Sequence, residues 1–354
     1  MDCSRCYMCQ KAPCHFNYNN DKDQKYPIGC PTLILKEKNE EIFKKYYEEE
    51  NKRIAQASAK ITMDQYGGKP RVREIVDFSK EMGYQKLGLV YDVELNKEAK
   101  VFKDILDYYK FDVIQTSYDK DSSIDNNDEG IFNNTIDQAE YLNSKETDFN
   151  ILLGMDVGYD TSFIKYSKAP ITVLAVKDRL LVHNPIAALY QEDGYLKKKI
   201  YRDDYDKDDR PRVKEVVDYC KDMGYKNIGL PFCVGLRKEA AIFYKILNYY
   251  GFDIVPIVCK LGSFERKTLD IEEVGVPLCN PIGQAEYLND AKTDVNILLG
   301  LCVGHDTLFI KYSNAPITVL GVKDRLLGHN PIAALYQEDG YCKKKIYTDK
   351  YDKK

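Results

Sequence analysis

Short apolar runs alternate with segments of helical periodicity along most of the chain beyond residue 70. In the second half the apolar runs have the length of strands, and they lie at Asn227–Phe232, Phe252–Val258, Asn296–Leu301 and Ile317–Val322. The helical segments lie at Val213–Met223, Leu236–Tyr250, Pro281–Asn289 and Thr307–Ser313. Buried strands that alternate with helices are typical of a parallel sheet covered on both faces. The pattern therefore predicts an α/β fold.

The same pattern occurs twice. The stretch Arg71-Val-Arg-Glu-Ile-Val-Asp77 corresponds to Arg212-Val-Lys-Glu-Val-Val-Asp218, and from Gln138 and Gln284 onward most positions are identical. A repeat of this length indicates a duplicated domain and not a solenoid unit. The sequence therefore predicts two tandem Rossmann-like domains with parallel sheets. The first repeat covers residues 71–201 and the second repeat covers residues 212–347, with a charged linker between them.

A cysteine-rich module at residues 1–66 precedes the repeats, and its cysteines are Cys3, Cys6, Cys9, Cys14 and Cys30. The segment around them has few apolar residues, and such segments usually fold only when they are cross-linked. The closely spaced thiols and the pair Cys30-Pro31 are both found in iron–sulfur ligation. Four thiolates also suit structural zinc, and disulfides or free thiols are further alternatives.

A helix is predicted over residues 36–60 of this module, because Ile42, Phe43, Tyr46 and Tyr47 recur at helical spacing. The segment Gly67-Gly68-Lys-Pro70 predicts a linker to the first repeat. The sequence thus predicts a small metal-binding module and a helix in front of the two sheets.

The composition and charge of the chain argue against nucleic-acid and membrane partners. The chain has 354 residues, of which 44% are hydrophobic and 31% charged, and its net charge is −4. Lys and Arg are interspersed with Asp and Glu, so nucleic acid is not an expected partner. No apolar run approaches the ~18 residues of a membrane span and no secretory signal is evident, so we expect a cytoplasmic protein without a membrane partner. In a reducing compartment its 11 cysteines are expected to be ligands or reactive thiols.

Four cysteines and a histidine of the second repeat are expected to meet at one edge of its sheet. Cys233, Cys259 and Cys302 each follow a predicted strand, and Cys279 precedes an Asn-Pro helix start. The carboxyl ends of parallel strands form the edge at which ligands bind in open α/β sheets. His305 lies in the turn after Cys302. Ordinary core packing is the alternative explanation for each cysteine.

The first repeat serves as an internal control. The residues aligned with Cys233, Cys259, Cys279, Cys302 and His305 are Asp92, Tyr118, Asn133, Asp156 and Tyr159. Because all five changed while neighbouring positions survived, we interpret them as one shared site that the first repeat has lost. Cys220 and Cys342 are interpreted as structural. Residues common to both copies are interpreted as serving the fold: His183 with His329, Asp160 with Asp306, and Lys177-Asp-Arg179 with Lys323-Asp-Arg325, the last as ion pairs.

Several of these motifs together resemble an uncharacterised cysteine-rich, metal-binding protein family of archaea and anaerobic bacteria. The motifs are Cys6-x2-Cys9-x4-Cys14, Cys30-Pro31, Phe232-Cys-Val-Gly-Leu236, Cys259-Lys260, Leu278-Cys-Asn-Pro-Ile-Gly-Gln284, Gly300-Leu-Cys-Val-Gly-His-Asp306 and His329-Asn-Pro331. The resemblance covers residues 1–62 and the second repeat, and it implies metal binding without a known substrate. Cys3 and the first repeat, which lacks the family cysteines, depart from the family pattern.

The resulting hypothesis is a metal-binding protein, with an iron–sulfur cluster as the suspected cofactor and a redox partner or a small molecule as the possible partner. A non-catalytic zinc-binding, metallochaperone or scaffold protein is the alternative. Metal ligation is favoured over covalent catalysis because four thiols exceed what a nucleophile needs, although Cys302 with His305 would be the pair for catalysis. We also expect the repeats to form an intramolecular pseudo-dimer through their Asn-Pro-Ile-Ala-Ala-Leu-Tyr helices, Asn184–Tyr190 and Asn330–Tyr336.

The N-terminal module is predicted to depend on metal for its folding, since structural metal sites supply on the order of 10 kcal/mol. Replacing Cys6 and Cys9 by Ser should make this segment sensitive to protease while the repeats stay folded. Limited proteolysis with mass spectrometry measures this, and unchanged protection of the segment would refute the prediction.

Overall fold

The computed structural model describes residues 30–35, 38–63, 67–119, 130–203, 209–271 and 277–347. Cys3, Cys6, Cys9 and Cys14, with the prediction that they bind metal, lie outside the described residues. Both repeats are α/β units built on parallel sheets, which confirms the predicted fold class. No described helix is long and apolar enough to cross a membrane.

Among the described residues, three helices precede the first repeat: α1 (Pro31–Ile34), α2 (Asn39–Tyr46) and α3 (Glu49–Met63). The prediction of one helix over residues 36–60 is therefore wrong. The side-chain amide of Asn51 donates to the carbonyl of Lys45 at 2.8 Å and to Glu48 Oε2 at 2.9 Å. Local bonds of this kind compete with helix hydrogen bonds, which accounts for the break near Tyr47 and Glu48.

Within the described residues, the sheet of the first repeat has five parallel strands in the order β3-β2-β1-β4-β5. The strands are β1 (Lys86–Asp92), β2 (Asp112–Tyr118), β3 (Ile131–Phe132), β4 (Phe149–Met155) and β5 (Ile171–Val176). The helices are α4 (Arg71–Met82), α5 (Asn96–Tyr108), α6 (Thr135–Ser144), α7 (Tyr159–Tyr166), α8 (Pro185–Leu189) and α9 (Lys197–Tyr201). Every residue of β4 and β5 is buried, as expected for strands covered on both faces.

The described sheet of the second repeat has four parallel strands in the order β7-β6-β8-β9. The strands are β6 (Asn227–Phe232), β7 (Asp253–Val258), β8 (Val295–Leu299) and β9 (Ile317–Gly321). The helices are α10 (Arg212–Asp222), α11 (Arg237–Tyr249), α12 (Pro281–Asp290), α13 (His305–Tyr312), α14 (Ala333–Tyr336) and α15 (Lys343–Tyr347). Phe232 pairs with both Val258 and Leu299, so β6, β7 and β8 end at the same level of the sheet.

The N-terminal helices cover one side of the second repeat. Helix α2 packs on α12, and α3 packs on both α13 and α4. The hydroxyl of Tyr46 donates to Asn280 Oδ1 at 3.0 Å, and the ring of Phe43 contacts that of Phe264 with centroids 4.8 Å apart. Helix α2 is therefore anchored beside the carboxyl ends of the second sheet.

Two buried arginines join the repeats reciprocally. Arg71, the first residue of α4, pairs with Asp306 of the second repeat at 2.6 Å. Arg212, the first residue of α10, pairs with Asp160 of the first repeat at 2.7 Å. Strands β5 and β9 contact each other between these pairs. Asp160 and Asp306 thus serve the fold, because each binds the arginine of the other repeat.

The helices that follow each sheet cross to the opposite repeat. Helix α8 packs on β9, α10 and α11, whereas α14 packs on α4 and α5. Tyr336 donates to Glu98 Oε1 at 2.9 Å, and Tyr190 donates to Glu239 in the equivalent contact. Helices α8 and α14 therefore each pack mainly on elements of the other repeat. The sequence had predicted that these two helices contact each other.

Replacing Arg212 by Met is expected to lower the free energy of unfolding by about 3–5 kcal/mol, because it leaves Asp160 buried without its partner. Lys103→Met is the control, since Lys103 forms an exposed ion pair with Asp107 and should contribute less than about 1 kcal/mol. Urea unfolding measures both values. Equal effects of the two substitutions would contradict the prediction.

Glu215, one turn beyond Arg212 on α10, is expected to make stability depend on pH. Burial raises its pKa from 4.5 to about 7, while Arg212 opposes the rise and Asp156 adds to it. Between pH 4.5 and about 7, Glu215 has lost its proton in the unfolded chain and keeps it in the folded protein. Glu215 therefore makes the free energy of unfolding fall as pH rises. Compared with Glu215→Gln, the wild type should lose up to about 1.4 kcal/mol more per pH unit in that window. Urea unfolding from pH 4.5 to 8 measures the difference, and parallel curves would contradict it.

Candidate functional site

Cys233 directly follows β6 and caps the 3-10 turn Val234–Leu236. The main-chain N–H of Gly235 donates to its sulfur at 3.4 Å. The thiol is held at the end of the central part of the sheet, since β6 lies between β7 and β8. The reversal of strand order between β6 and β8 is the place where ligands bind in open α/β sheets.

Cys259 and Cys279 form a close pair beside it. Cys259 directly follows β7, and its carbonyl accepts from the N–H of Asn280 at 2.8 Å. This bond places Cys279 next to Cys259, with the two sulfurs 3.6 Å apart. The N–H of Val234 also donates to the sulfur of Cys259 at 3.4 Å, which links the pair to the turn after β6.

Cys302 and His305 lie on a tight turn between β8 and α13. Gly300 and Gly304 flank Cys302 and have positive φ angles of 68° and 80°. A Cβ at Gly300 would lie 2.7 Å from the Leu236 side chain, and one at Gly304 would lie 1.9 Å from Ser58 Oγ. Both positions therefore require glycine. The carbonyl of Cys302 accepts from the N–H of His305 at 3.0 Å, which starts the helix.

The structure brings these four cysteines and His305 together. The sulfurs of Cys279 and Cys259 form a direct contact, and interactions link Cys302 to Cys233, Cys233 to Cys259, and His305 to both Cys279 and Cys302. The contacts close a ring, which we call the sulfur ring. Cys279 is half-buried and the other members are buried. Among the described residues, no three or more Cys, His, Asp or Glu side chains are arranged as a ready-made site for a metal ion. The thiols contact one another and nearby cations instead.

Three cationic side chains surround the sulfur ring. Lys323 Nζ donates to the sulfur of Cys233 at 2.5 Å, and Arg325 Nη2 donates to the sulfur of Cys302 at 3.2 Å. Lys260 is buried and donates to the carbonyl of Pro277. Sequence reasoning had assigned Lys323 and Arg325 to ion pairs of the fold, which misses their contact with the thiols.

These neighbours change the acidity of the thiols. Contacts with Cys259 and Cys302 lower the pKa of Cys233 well below its usual range, burial opposes the change, and the charge of Lys323 assists it. Contact with Cys259 likewise lowers the pKa of Cys279, with help from Lys260 and His305. Cys233 and Cys279 raise the pKa of Cys259 well above its usual range. Negative charge is thus favoured on Cys233 and Cys279 and disfavoured on Cys259.

The cations respond in the opposite sense. Burial alone would lower the pKa of His305, but Cys279 and Cys302 raise it to about 10. Burial would also lower the pKa of Lys323, yet Cys233 and Cys302 raise it above its ordinary range. His305 and Lys323 are therefore charged at neutral pH and stabilise negative charge on sulfur.

The equivalent site of the first repeat is closed by its own side chains. Lys177 pairs with Asp92 at 2.7 Å, and Arg179 pairs with Asp156 at 3.3 Å. Asp92, the partner of Lys177, aligns with Cys233, which Lys323 contacts in the second repeat. Asp156, the partner of Arg179, aligns with Cys302, which Arg325 contacts. The rings of Tyr118 and Tyr159, which align with Cys259 and His305, contact each other with centroids 4.5 Å apart. The aligned aspartates were the sequence signal that could have identified Lys323 and Arg325 as site residues.

The remaining described cysteines lie outside the sulfur ring. Cys30 is buried at the start of α1, and nearby Thr32 Oγ1 accepts from the N–H of Gly262 at 3.3 Å. The N-terminal segment therefore approaches the chain just beyond Cys259. Cys220 and Cys342 are buried in the core, and burial raises the pKa of Cys220 to about 12, as for an ordinary core thiol.

Two of the solved structures that are similar to this chain are distant likenesses. Ornithine carbamoyltransferase from Burkholderia thailandensis is 10% identical and matches 81% of this chain and 92% of its own, with a TM-score of 0.24. The transcription regulator CcpA of Lactococcus lactis is 13% identical and matches 72% of this chain and 90% of its own, with a TM-score of 0.23. Scores this low carry no argument about function.

Sequence relatives are more informative. The uncharacterized protein MJ0455 of Methanocaldococcus jannaschii is 43% identical over 145 residues, which cover 40% of this chain and 74% of the relative. A family profile described as protein of unknown function (DUF1847) matches residues 30–174 and again residues 180–320. The chain therefore belongs to the DUF1847 family and contains two matches to its profile in tandem.

Proposed function

We propose that the second repeat binds a thiolate-ligated metal centre, an iron–sulfur cluster in the first instance, at the sulfur ring. The ligands would be Cys233, Cys259, Cys279 and Cys302. Thiolates are the preferred ligands of iron–sulfur clusters and of other soft metal centres. His305 would be a further ligand after losing its proton, or a hydrogen-bond donor to the ligating sulfurs.

The observation that carries this proposal is the burial of cations around sulfur. Lys260 and Lys323 are 6% and 5% exposed. Within the described part of the chain neither of them pairs with a carboxylate, and their acceptors are a carbonyl and the sulfur of Cys233. A buried charge is costly unless an opposite charge accompanies it. Four thiolates around a divalent metal or a cluster carry a net negative charge, which Lys260, Lys323 and Arg325 would balance.

Metal binding would require the thiols to change partners. As they stand, the sulfurs of Cys259 and Cys279 share one contact, and Cys233 accepts from Lys323. The thiols would exchange the protons and contacts within the ring for metal–sulfur bonds, so metal uptake would release protons. Lys323 and Arg325 can remain as donors to the sulfurs, the usual role of side chains around metal ligands. An iron–sulfur cluster would supply electron transfer to a redox partner, whereas zinc would supply a fixed charge without redox chemistry.

The test is anaerobic purification followed by an absorption spectrum and analyses of iron, labile sulfide and zinc. Cys302→Ser is compared with the matched control Cys220→Ser, which removes a buried thiol of the same repeat outside the ring. Both variants also carry Cys6→Ser and Cys9→Ser, so that metal on the N-terminal module does not obscure the result.

We expect a brown protein that loses most of its iron and sulfide in Cys302→Ser and keeps them in Cys220→Ser. Zinc in place of iron, lost in the same variant, would support the metal site and overturn the iron–sulfur assignment. Protein free of metal, or metal fully retained in Cys302→Ser, would overturn the site itself.

A further inference from the structure

Helix α4 of the first repeat starts against the sulfur ring of the second. The guanidinium of Arg71 donates to the carbonyl of Leu301 at 3.0 Å and to Asp306 Oδ2 at 2.6 Å. Its main-chain N–H donates to Asp324 Oδ2 at 2.8 Å. Leu301 precedes Cys302, Asp306 follows His305, and Asp324 separates Lys323 from Arg325. One residue of the first repeat therefore fixes the chain beside four residues of the site.

Glu74 lies one turn further along the same helix. Its carboxylate pairs with Arg325 at 3.2 Å, and Arg325 in turn donates to the sulfur of Cys302 at 3.2 Å. Glu74 and Arg325 have side chains that are only 8% and 9% exposed. The charge that Arg325 presents to Cys302 is therefore shared with a carboxylate from the other repeat, in surroundings where water screens little.

The turn that carries His305 is also held from this side. The Cβ absent from Gly304 would lie 1.9 Å from Ser58 Oγ of α3 and 2.7 Å from the ring of Phe78 of α4. Helices outside the second repeat thus lie directly against the backbone between Cys302 and His305, and they leave room only for glycine.

We propose that the site is composite, with Arg71 and Glu74 of the first repeat acting as positioning residues for the sulfur ring of the second. Arg71 fixes the turn that carries Cys302 and His305. Glu74 sets the position and the effective charge of Arg325 at Cys302. This inference rests on the proposed function only for its metal readout, because the contacts themselves involve the protein alone.

Arg212 of the second repeat makes the equivalent contacts to the first repeat. Arg212 donates to the carbonyl of Met155 at 2.7 Å and to Asp160 Oδ2 at 2.7 Å, as Arg71 does in the other direction. There the target is the closed site of Asp92 and Asp156, which has no thiol to position. The first repeat thus has no thiols at the aligned positions, yet its helix α4 contacts the site of the second repeat.

This symmetry supplies a matched control for the experiment. Glu215 occupies the place on α10 that Glu74 occupies on α4, and burial raises the pKa of each to about 7. Glu74→Gln and Glu215→Gln therefore remove carboxyls at equivalent helix positions that face different sites, Glu74 being buried and Glu215 partly buried. Glu74→Asp keeps the carboxylate and serves as the conservative variant.

The first readout uses full-length protein freed of metal with a chelator. Carbamidomethylation of Cys302 by iodoacetamide is followed by mass spectrometry, with Cys220 and Cys342 as internal references for general loosening. We expect Glu74→Gln to raise the rate at Cys302 several-fold relative to both references, because Arg325 no longer shares its charge with a carboxylate. Glu74→Asp should approach the wild-type rate, and Glu215→Gln should match it.

An unchanged rate at Cys302 in Glu74→Gln, or an equal rise at Cys220 and Cys342, would overturn the composite site. The second readout is the rate of metal loss to a chelator, which should change in Glu74→Gln, because the position and charge of Arg325 at Cys302 change, and should keep the wild-type value in Glu215→Gln. If the wild type holds no metal, the proposed function fails while the alkylation result still decides the role of Glu74.

Discussion

The protein depends on two buried charges that each repeat places in the other. Arg71 and Arg212 are fully buried, and a guanidinium can be buried only where carboxylates and carbonyls accept its hydrogen bonds. The acceptors are Asp306 and Asp160, and each also accepts from a threonine of the edge strand beside it. These contacts hold β5 and β9 together and fix the turns at the carboxyl ends of both sheets. The geometry of the sulfur ring is therefore a property of the pair of repeats and not of one sheet.

Much of the site could be predicted from the sequence, because parallel strands that end in register deliver the residues after them to one edge. This reasoning led from three apolar runs to Cys233, Cys259 and Cys302, and the Asn-Pro helix start led to Cys279. The cations were missed because Lys323 and Arg325 occur in both copies, and shared residues were attributed to the fold. Glu74 and Arg71 could not be found in this way, since their role depends on how the repeats pack, which a pattern within one repeat does not determine.

Duplication has separated two tasks that a single copy would combine. In the first repeat, the cations Lys177 and Arg179 pair with carboxylates at the positions where the second repeat has thiols. A carboxylate satisfies a buried cation and binds no soft metal, so this substitution preserves stability while it removes the proposed chemistry. The contact between Tyr118 and Tyr159 occupies the positions of Cys259 and His305. The first repeat can thus be understood as a structural support for the second repeat, which carries the proposed metal-binding residues.

The crossing of the terminal helices bears on how the chain is made. Helices α14 and α15 complete the layer over α4 and α5, and Arg73 donates to the carbonyl of Ile346 at 2.9 Å. The first repeat is synthesised before the second, yet part of its cover comes from helices that follow the second sheet along the chain. Pairings so distant along the chain form slowly, because a long loop must close before they contribute. The nascent first repeat therefore exposes apolar surface until α14 and α15 have been synthesised, and the composite surroundings of the thiols form only after both repeats are present.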